Sequence, residues 1–254
     1  MSLSSRLRGR RRRGQVEPGA RTRPARSASG FPLCAVCGAD EWQARGLIWD
    51  GLAEEWELTP EERAYVDIQQ GHLCGSCGMS FRSVALADAI CRVADWPGTL
   101  AELSTAKGKG LRILEINEAG TLSPYLAQWE QHVLASYPEV DMQRLPYNDA
   151  SFDLVVHSDT LEHVADPVAG LEECRRVLRP GGRLAYTIPI IVGRLTRIRD
   201  GLPPSYHGSP GNDEYLVVSE YGADFWTEPV RAGFSGVTLH PFSFPAAVVV
   251  IAER

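Results

Sequence analysis

The sequence predicts an α/β fold, a parallel sheet wrapped by helices, and three observations in one stretch carry that expectation. Phe152 to Val156 is a short apolar run of the kind a strand buried on both faces shows, and it feeds the polar residues His157, Ser158 and Asp159. Asp166-Pro167 pairs an N-cap with proline at the first helical position, and Val168, Leu171, Cys174, Val177 and Leu178 then recur at helical spacing. Pro180-Gly181-Gly182 is expected to stop that helix, with Leu184 to Ile188 as the next strand. Ligands of open α/β sheets sit beyond the carboxyl ends of such strands, so His157 to Asp159 marks a candidate site.

A chain of 254 residues with 44% hydrophobic residues can bury one substantial domain plus a small module. The first thirty residues hold nine Arg against one Glu, so a formal charge of −6 for the whole chain leaves −14 for the rest. An acidic body disfavours a duplex nucleic-acid groove, which needs clustered Lys and Arg on the folded surface. Residues 1–30 lack large apolar side chains and read as a disordered basic arm; a transit peptide or an RNA-binding tail are the functional alternatives. No apolar run approaches a membrane span, and a cytoplasmic location is expected.

Residues 31–85 hold Cys34-Ala-Val-Cys37-Gly and Cys74-Gly-Ser-Cys77-Gly, separated by 36 residues. Without a secretory signal, two such knuckles argue for one tetrahedral zinc rather than disulfides, with a redox pair or unconnected thiols as rivals. Four thiolates close the coordination sphere, so the expected role is structural. Cys91 and Cys174 lack partners at ligand spacing, and Cys174 falls on the buried face of its helix.

Between Ser80 and Thr105 the apolar pattern predicts one or two helices broken at Trp96-Pro97-Gly98, and Leu111 to Ile116 the first strand of the sheet. Val133 to Tyr137 reads as the second strand. After Pro189 a long irregular segment runs to Glu220, and a loop of that length inside a compact domain is usually functional. Glu220 to Ala232 reads as a helix ended by Gly233, followed by a closing antiparallel pair, Val237 to Pro241 and Phe244 to Ile251.

The stretch from Phe152 to Pro189, FDLVVHSDTLEHVADPVAGLEECRRVLRPGGRLAYTIP, resembles the class I S-adenosylmethionine-dependent methyltransferases. With its flanks the resemblance covers roughly residues 111–254. It implies a Rossmann-like class I methyltransferase sheet over residues 86–254, S-adenosylmethionine as cofactor, and methyl transfer to an oxygen or nitrogen of a small metabolite or sugar. Some members of the family carry a cysteine-rich module ahead of the catalytic domain, the order found here.

Two departures from the family pattern stand out. The family's first loop reads acidic-x-Gly-x-Gly-x-Gly, whereas this chain has Glu115-Ile116-Asn117-Glu118-Ala119-Gly120, keeping the acid and one glycine. In addition, Asp141-Met142-Gln143-Arg144-Leu145, which resembles the adenine-side loop, follows the second strand almost at once, so a helix and the edge strand numbered third in the family are missing. By resemblance the cofactor residues are Glu115, Asn117, Gly120, Glu139, Asp141, Met142, His157 and Ser158. A depleted glycine loop leaves two alternatives: a non-catalytic interaction protein on the same fold, or an enzyme moving another group of the cofactor.

Three histidines are candidates for a catalytic base. His163, between Leu161 and Val164, reads as structural; His157 follows a buried strand and could touch cofactor or acceptor. His207, on the long loop, is the preferred base with Tyr206 orienting a small-molecule acceptor, since imidazole suits deprotonation near neutral pH.

Overall fold

The computed structural model describes residues 30–207 and 215–254, so the basic arm, apart from Gly30, lies outside the described residues. In chain order the elements are β1 (Trp42–Gln43), α1 (Asp50–Glu55), α2 (Pro60–Gly71), β2 (Leu73–Cys74), α3 (Phe81–Val93), α4 (Leu100–Thr105), β3 (Arg112–Ile116), α5 (Ser123–Leu126) and β4 (Gln131–Ala135). They continue as β5 (Phe152–Ser158), α6 (Pro167–Val177), β6 (Leu178–Thr187), β7 (Ile190–Ile191), β8 (Arg197–Ile198), β9 (Ser219–Gly222), α7 (Thr227–Arg231), β10 (Gly236–Ser243) and β11 (Ala247–Glu253).

Six strands form the main sheet in the order β10-β11-β6-β5-β3-β4. The pairs β3/β4, β3/β5 and β5/β6 are parallel, and β11 and β10 close the sheet antiparallel. Strand β5 is buried along almost its whole length because its side chains serve two cores. Leu154 and Val156 enter one with α3, and Val155 enters the other with Leu171 and Cys174 of α6. A strand with apolar neighbours on both faces needs the continuous apolar run seen in its sequence.

Residues 136–151 contain a single 3₁₀ turn, Met142–Arg144, and no strand, which leaves β4 at the edge as the missing third strand implies. Strand β4 begins two residues earlier than its apolar pattern suggests and stops at Ala135, whose carbonyl accepts the Asn117 N–H. The Tyr137 N–H then turns away to the Asn117 side chain.

Helix starts follow their sequence signals. Thr59 and Thr99 make capping boxes with Glu62 and Glu102, and the Asp166 carboxylate accepts the Ala169 N–H at 3.1 Å. The stop of α6 differs from expectation. The helix ends at Val177, because Leu178 is already extended and pairs with Phe152, and Pro180-Gly181-Gly182 forms a bulge between that pair and Leu154 opposite Arg183.

The helix expected from Glu220 to Ala232 shrinks to α7. Ser219–Gly222 is instead a strand, parallel to β7 and antiparallel to β8, with Arg197 and Arg199 both paired to the buried Glu220 carboxylate. Residues 191–194 rest on α1 and α2. Trp56, Leu52, Val66 and Ile191 share a small core, the Val192 N–H donates to the Tyr65 hydroxyl, and Arg194 pairs with Glu62 at 2.9 Å. Among the described residues no helix is long and apolar enough to cross a membrane.

Candidate functional site

The two cysteine knuckles close on each other through the short β1–β2 pair, and Cys34, Val36 and Cys74 pack into the same core as α3 and the sheet. Cys34 and Cys77 sulfurs stand 3.7 Å apart and those of Cys37 and Cys74 3.6 Å apart, with all four ligand atoms within 4.8 Å of one another. A tetrahedron with Zn–S of about 2.3 Å has S···S edges of about 3.8 Å, close to the two distances of 3.7 and 3.6 Å, so the four residues are placed to hold that ion. Burial pushes the Cys34 thiol well up and the Cys77 thiol up to about 11. At Cys74 burial acts the same way, but backbone N–H groups of Cys77 and Ser76 outweigh it and the net shift is downward, toward the thiolate a metal requires.

From the second knuckle the chain enters α3, whose first turn meets the loop after β3. Ser80 caps α3 and donates to the Ser83 hydroxyl, which also accepts from Thr121 at 3.0 Å. Gly120 is required there: at φ +57°, a β-carbon would lie 3.1 Å from the Ser83 oxygen. Asn117 and Glu118 also have positive φ, +55° and +47°, so the loop makes its left-handed turns with residues where the family pattern favours glycine. Glu115 is fully buried. One carboxylate oxygen accepts the Ala119 N–H at 2.7 Å and the other meets His132 at 2.6 Å, so this acid holds the loop's shape from inside.

A cavity of about 500 Å³ opens at the carboxyl ends of β3, β4 and β5. Its walls include Asn117, Glu118, Asp141, Met142, Asp159 and His163. Of the eight cofactor residues named from sequence, Asn117, Asp141 and Met142 line it. Met142 is buried against Gly170, and Asp141 caps the 3₁₀ turn through the Gln143 N–H. Glu115 and Gly120 shape the loop behind it, and Ser158 is buried in a hydroxyl pair with Thr187 at 2.8 Å. Glu139 is exposed beyond the end of β4, where Ser136 and Tyr137 line the cavity instead.

His157 faces away from the cavity. It stacks on Tyr186 with ring centroids 4.6 Å apart, neither ring nitrogen has a hydrogen-bond partner, and burial holds its pKa down at about 3. His163 lines the cavity, its Nδ1–H donating to the Leu216 carbonyl at 2.9 Å. His207 stands behind it with ring centroids 5.2 Å apart, tilted against Trp56, beside a smaller recess lined by Trp56, Glu162 and Tyr221. Tyr206 forms an antiparallel bridge with Leu216.

Between the two imidazoles sits Glu162, 1% exposed, 3.5 Å from His207 Nδ1 and 3.7 Å from His163 Nε2. Burial alone would raise its pKa; the two imidazoles outweigh burial and hold the carboxyl below its usual range. Glu162 was invisible to sequence reasoning as a functional residue because its partner His207 lies 45 positions away. Arg82, on α3, likewise carried no sequence signal. It is ion-paired with Asp159, which lines the cavity, and Gln70 of α2 hydrogen-bonds both residues. Asp159 itself has φ +46°, a conformation that a non-glycine residue holds only at a cost.

Residues 74–186 match a family model described as a methyltransferase domain. A probable S-adenosylmethionine-dependent methyltransferase of Mycolicibacterium smegmatis is 44% identical over 63 residues, 23% of this chain and 24% of that one. A demethylmenaquinone methyltransferase of Mycobacterium sp. is 61% identical over 44 residues, 17% of this chain and 19% of that one. The chain therefore spans a quarter or less of the length of these curated relatives. Among solved structures, the 1,6-didemethyltoxoflavin-N1-methyltransferase of Burkholderia thailandensis, with 1,6-didemethyltoxoflavin and S-adenosylhomocysteine bound, is 15% identical over 66% of this chain and 79% of its own, with a TM-score of 0.38. Residues 74–186 thus carry a methyltransferase domain match, and the parallel strands of the sheet and the Phe152–Pro189 motif lie within or beside it.

Proposed function

We propose that this chain is a methyltransferase that moves the methyl of S-adenosylmethionine to an oxygen or nitrogen of a small metabolite or sugar. The observation that carries the reading is the cavity at the carboxyl ends of three parallel strands, walled by Glu118, Asp141 and Asp159. When bound, S-adenosylmethionine supplies an electrophilic methyl on a sulfonium cation. The Glu118 and Asp141 carboxylates favour that cation, Asp159 being already paired with Arg82, and Met142 offers an apolar face to the adenine. Asn117 and Asp141 complete the cofactor wall. The relatives' names, which include a demethylmenaquinone methyltransferase, support a small-molecule acceptor.

His207 serves as the base and Tyr206 orients the acceptor. With its Nδ1 toward the Glu162 carboxylate, His207 keeps Nε2, buried and without a partner in the structure, as the nitrogen that would take the proton the acceptor loses once the acceptor reaches the recess beside it. Glu162 then stabilises the imidazolium. The four cysteines Cys34, Cys37, Cys74 and Cys77 hold zinc as a structural centre, closed to chemistry by its fourth thiolate.

Calorimetry with S-adenosylhomocysteine, followed by methyl-transfer assays against phenols, amines and hydroxylated sugars, tests the proposal. His207→Ala is expected to lower turnover by about a hundredfold while leaving cofactor affinity unchanged. Absence of binding at millimolar S-adenosylhomocysteine would overturn the reading in favour of an interaction protein.

A further inference from the structure

Each cysteine knuckle secures the start of a helix. Three residues past Cys77, Ser80 caps α3, and the Phe81 N–H donates to the His72 carbonyl just ahead of the second knuckle. Ala35 and Val36, between Cys34 and Cys37, lend their carbonyls to the Leu100 and Ala101 N–H groups in the first turn of α4, at 2.8 and 3.1 Å. These two helices bracket the loop between β3 and α5, residues 117–122. From α3, the Ser83 hydroxyl accepts from the Ser80 and Thr121 hydroxyls, each at 3.0 Å, a run of three hydroxyls from the second knuckle to the loop. From α4, the buried Ser104 hydroxyl accepts the indole N–H of Trp129, just beyond α5, at 3.3 Å. Leu122 and Leu126 enter the core that holds Cys34, Val36, Cys74 and Leu103, and Tyr125 of α5 lies within electrostatic reach of all four cysteines. The bracketed loop is costly to hold: Asn117, Glu118 and Gly120 have positive φ, and two of them carry side chains. Asn117 and Glu118 line the large cavity.

We propose that metal occupancy at the four cysteines and cofactor binding in the cavity are thermodynamically linked, the metal setting the shape of loop 117–122 through α3 and α4. This linkage rests on the cofactor and zinc readings above. A bound ion draws the two knuckles together, the knuckles fix the starts of the two helices, and the helices hold the loop from either side. The loop is the element with two states: held in its left-handed turns, with Asn117 and Glu118 at the cavity wall, or relaxed. A glycine-rich loop reaches such a conformation at little cost; here the strain of non-glycine residues is offset from the metal side. A ligand that needs the held loop then favours the filled metal centre, because an effect of one site on the affinity of another is met by an equal effect in return.

The test measures zinc affinity of the full-length, zinc-loaded protein by equilibrium competition with a chromogenic chelator, with and without saturating S-adenosylhomocysteine. The nucleoside is expected to tighten zinc about tenfold, within the usual range of coupling between sites. Thr121→Val removes the hydroxyl that joins the loop to Ser83 and leaves every cysteine in place. It should keep one zinc per chain and still bind S-adenosylhomocysteine, with the effect on zinc reduced to about twofold or less. Ser104→Ala, which cuts the Trp129 contact from α4, makes the same comparison should Thr121→Val fail to fold. Unchanged zinc affinity in wild-type protein that binds S-adenosylhomocysteine overturns the linkage and leaves the cofactor site standing. A tenfold effect that survives in the variant overturns it as well, since the nucleoside would then act through global stability, as any ligand of the folded chain does. If wild-type protein binds no S-adenosylhomocysteine the cofactor reading falls, and if it holds no zinc the metal reading falls; the linkage goes with either.

Discussion

His157 shows how far a polar residue's surroundings can depart from what its neighbours in sequence suggest. It follows an apolar run and precedes Ser158 and Asp159, so it reads as the first residue of a site. Both faces of β5 are buried, however, and the ring stacks on Tyr186, its register partner on β6, while Asp159 lies past the end of β5, where the backbone has turned to φ +46°, and reaches the cavity. The consequence is an acid-labile core. Below the unfolded histidine's pKa of about 6.5, the unfolded chain binds a proton that the folded one, with its pKa at about 3, does not, so stability present above pH 6.5 is lost progressively as pH falls between those values. At pH 5 the loss is about 2 kcal/mol. His157→Phe, which keeps a flat ring against Tyr186, should show a smaller drop in urea-unfolding free energy between pH 7 and pH 5 than the wild type; an equal drop would assign the acid sensitivity elsewhere. Arg82 and Glu162 were illegible for another reason: each gains its meaning from a partner on a distant element, Asp159 for one and His207 for the other, and no local pattern encodes such a meeting.

Among elements, α6 was legible from end to end except for its stop. Its start is local chemistry: Asp166 accepts from Ala169, and Pro167 fixes the first turn. Asp166→Ala is expected to cost about 1 kcal/mol, read from denaturant midpoints at unchanged slope. A change within a few tenths of a kcal/mol would mean that tertiary packing alone sets this terminus. The segment 219–222 was misread because a sequence such as Ser-Glu-Tyr-Gly has no strong preference. What makes it a strand is the pair of short neighbours, β7 and β8, and two arginines that reach across to Glu220. The helical pattern expected there survives only in the five residues of α7. Strand β4 slipped by two residues for a similar reason, since Asn117 ends it from another strand's loop.

For the whole molecule, the parallel α/β sheet was readable because the βαβ unit around Phe152–Pro189 leaves few topologies open, and its shortened edge because a missing strand shows as missing residues. The cysteine knuckles were equally plain from spacing. Their relation to the rest was not: Cys34, Val36 and Cys74 share a core with α3 and the sheet, and α3 carries Ser83 and Arg82 to the cofactor loop. Freshly purified protein should therefore contain one zinc per chain by elemental analysis, and a chelator or Cys74→Ser should lower the melting temperature, since binding at this centre is coupled to folding. Protein without zinc, melting unchanged by chelator, would leave the knuckles as reduced thiols.

The truncated border of the sheet has one more effect. Among the described residues strand β4 has a neighbour on one side only, so the peptide groups along its outer side are left to hydrogen-bond with water or with passing chains. A long free border of that kind would invite other molecules to add to it. This one is five residues long, and Pro138, which has no N–H to offer, comes three residues after its end. Losing the third strand has therefore shortened the fold without creating a seam along which molecules would stack.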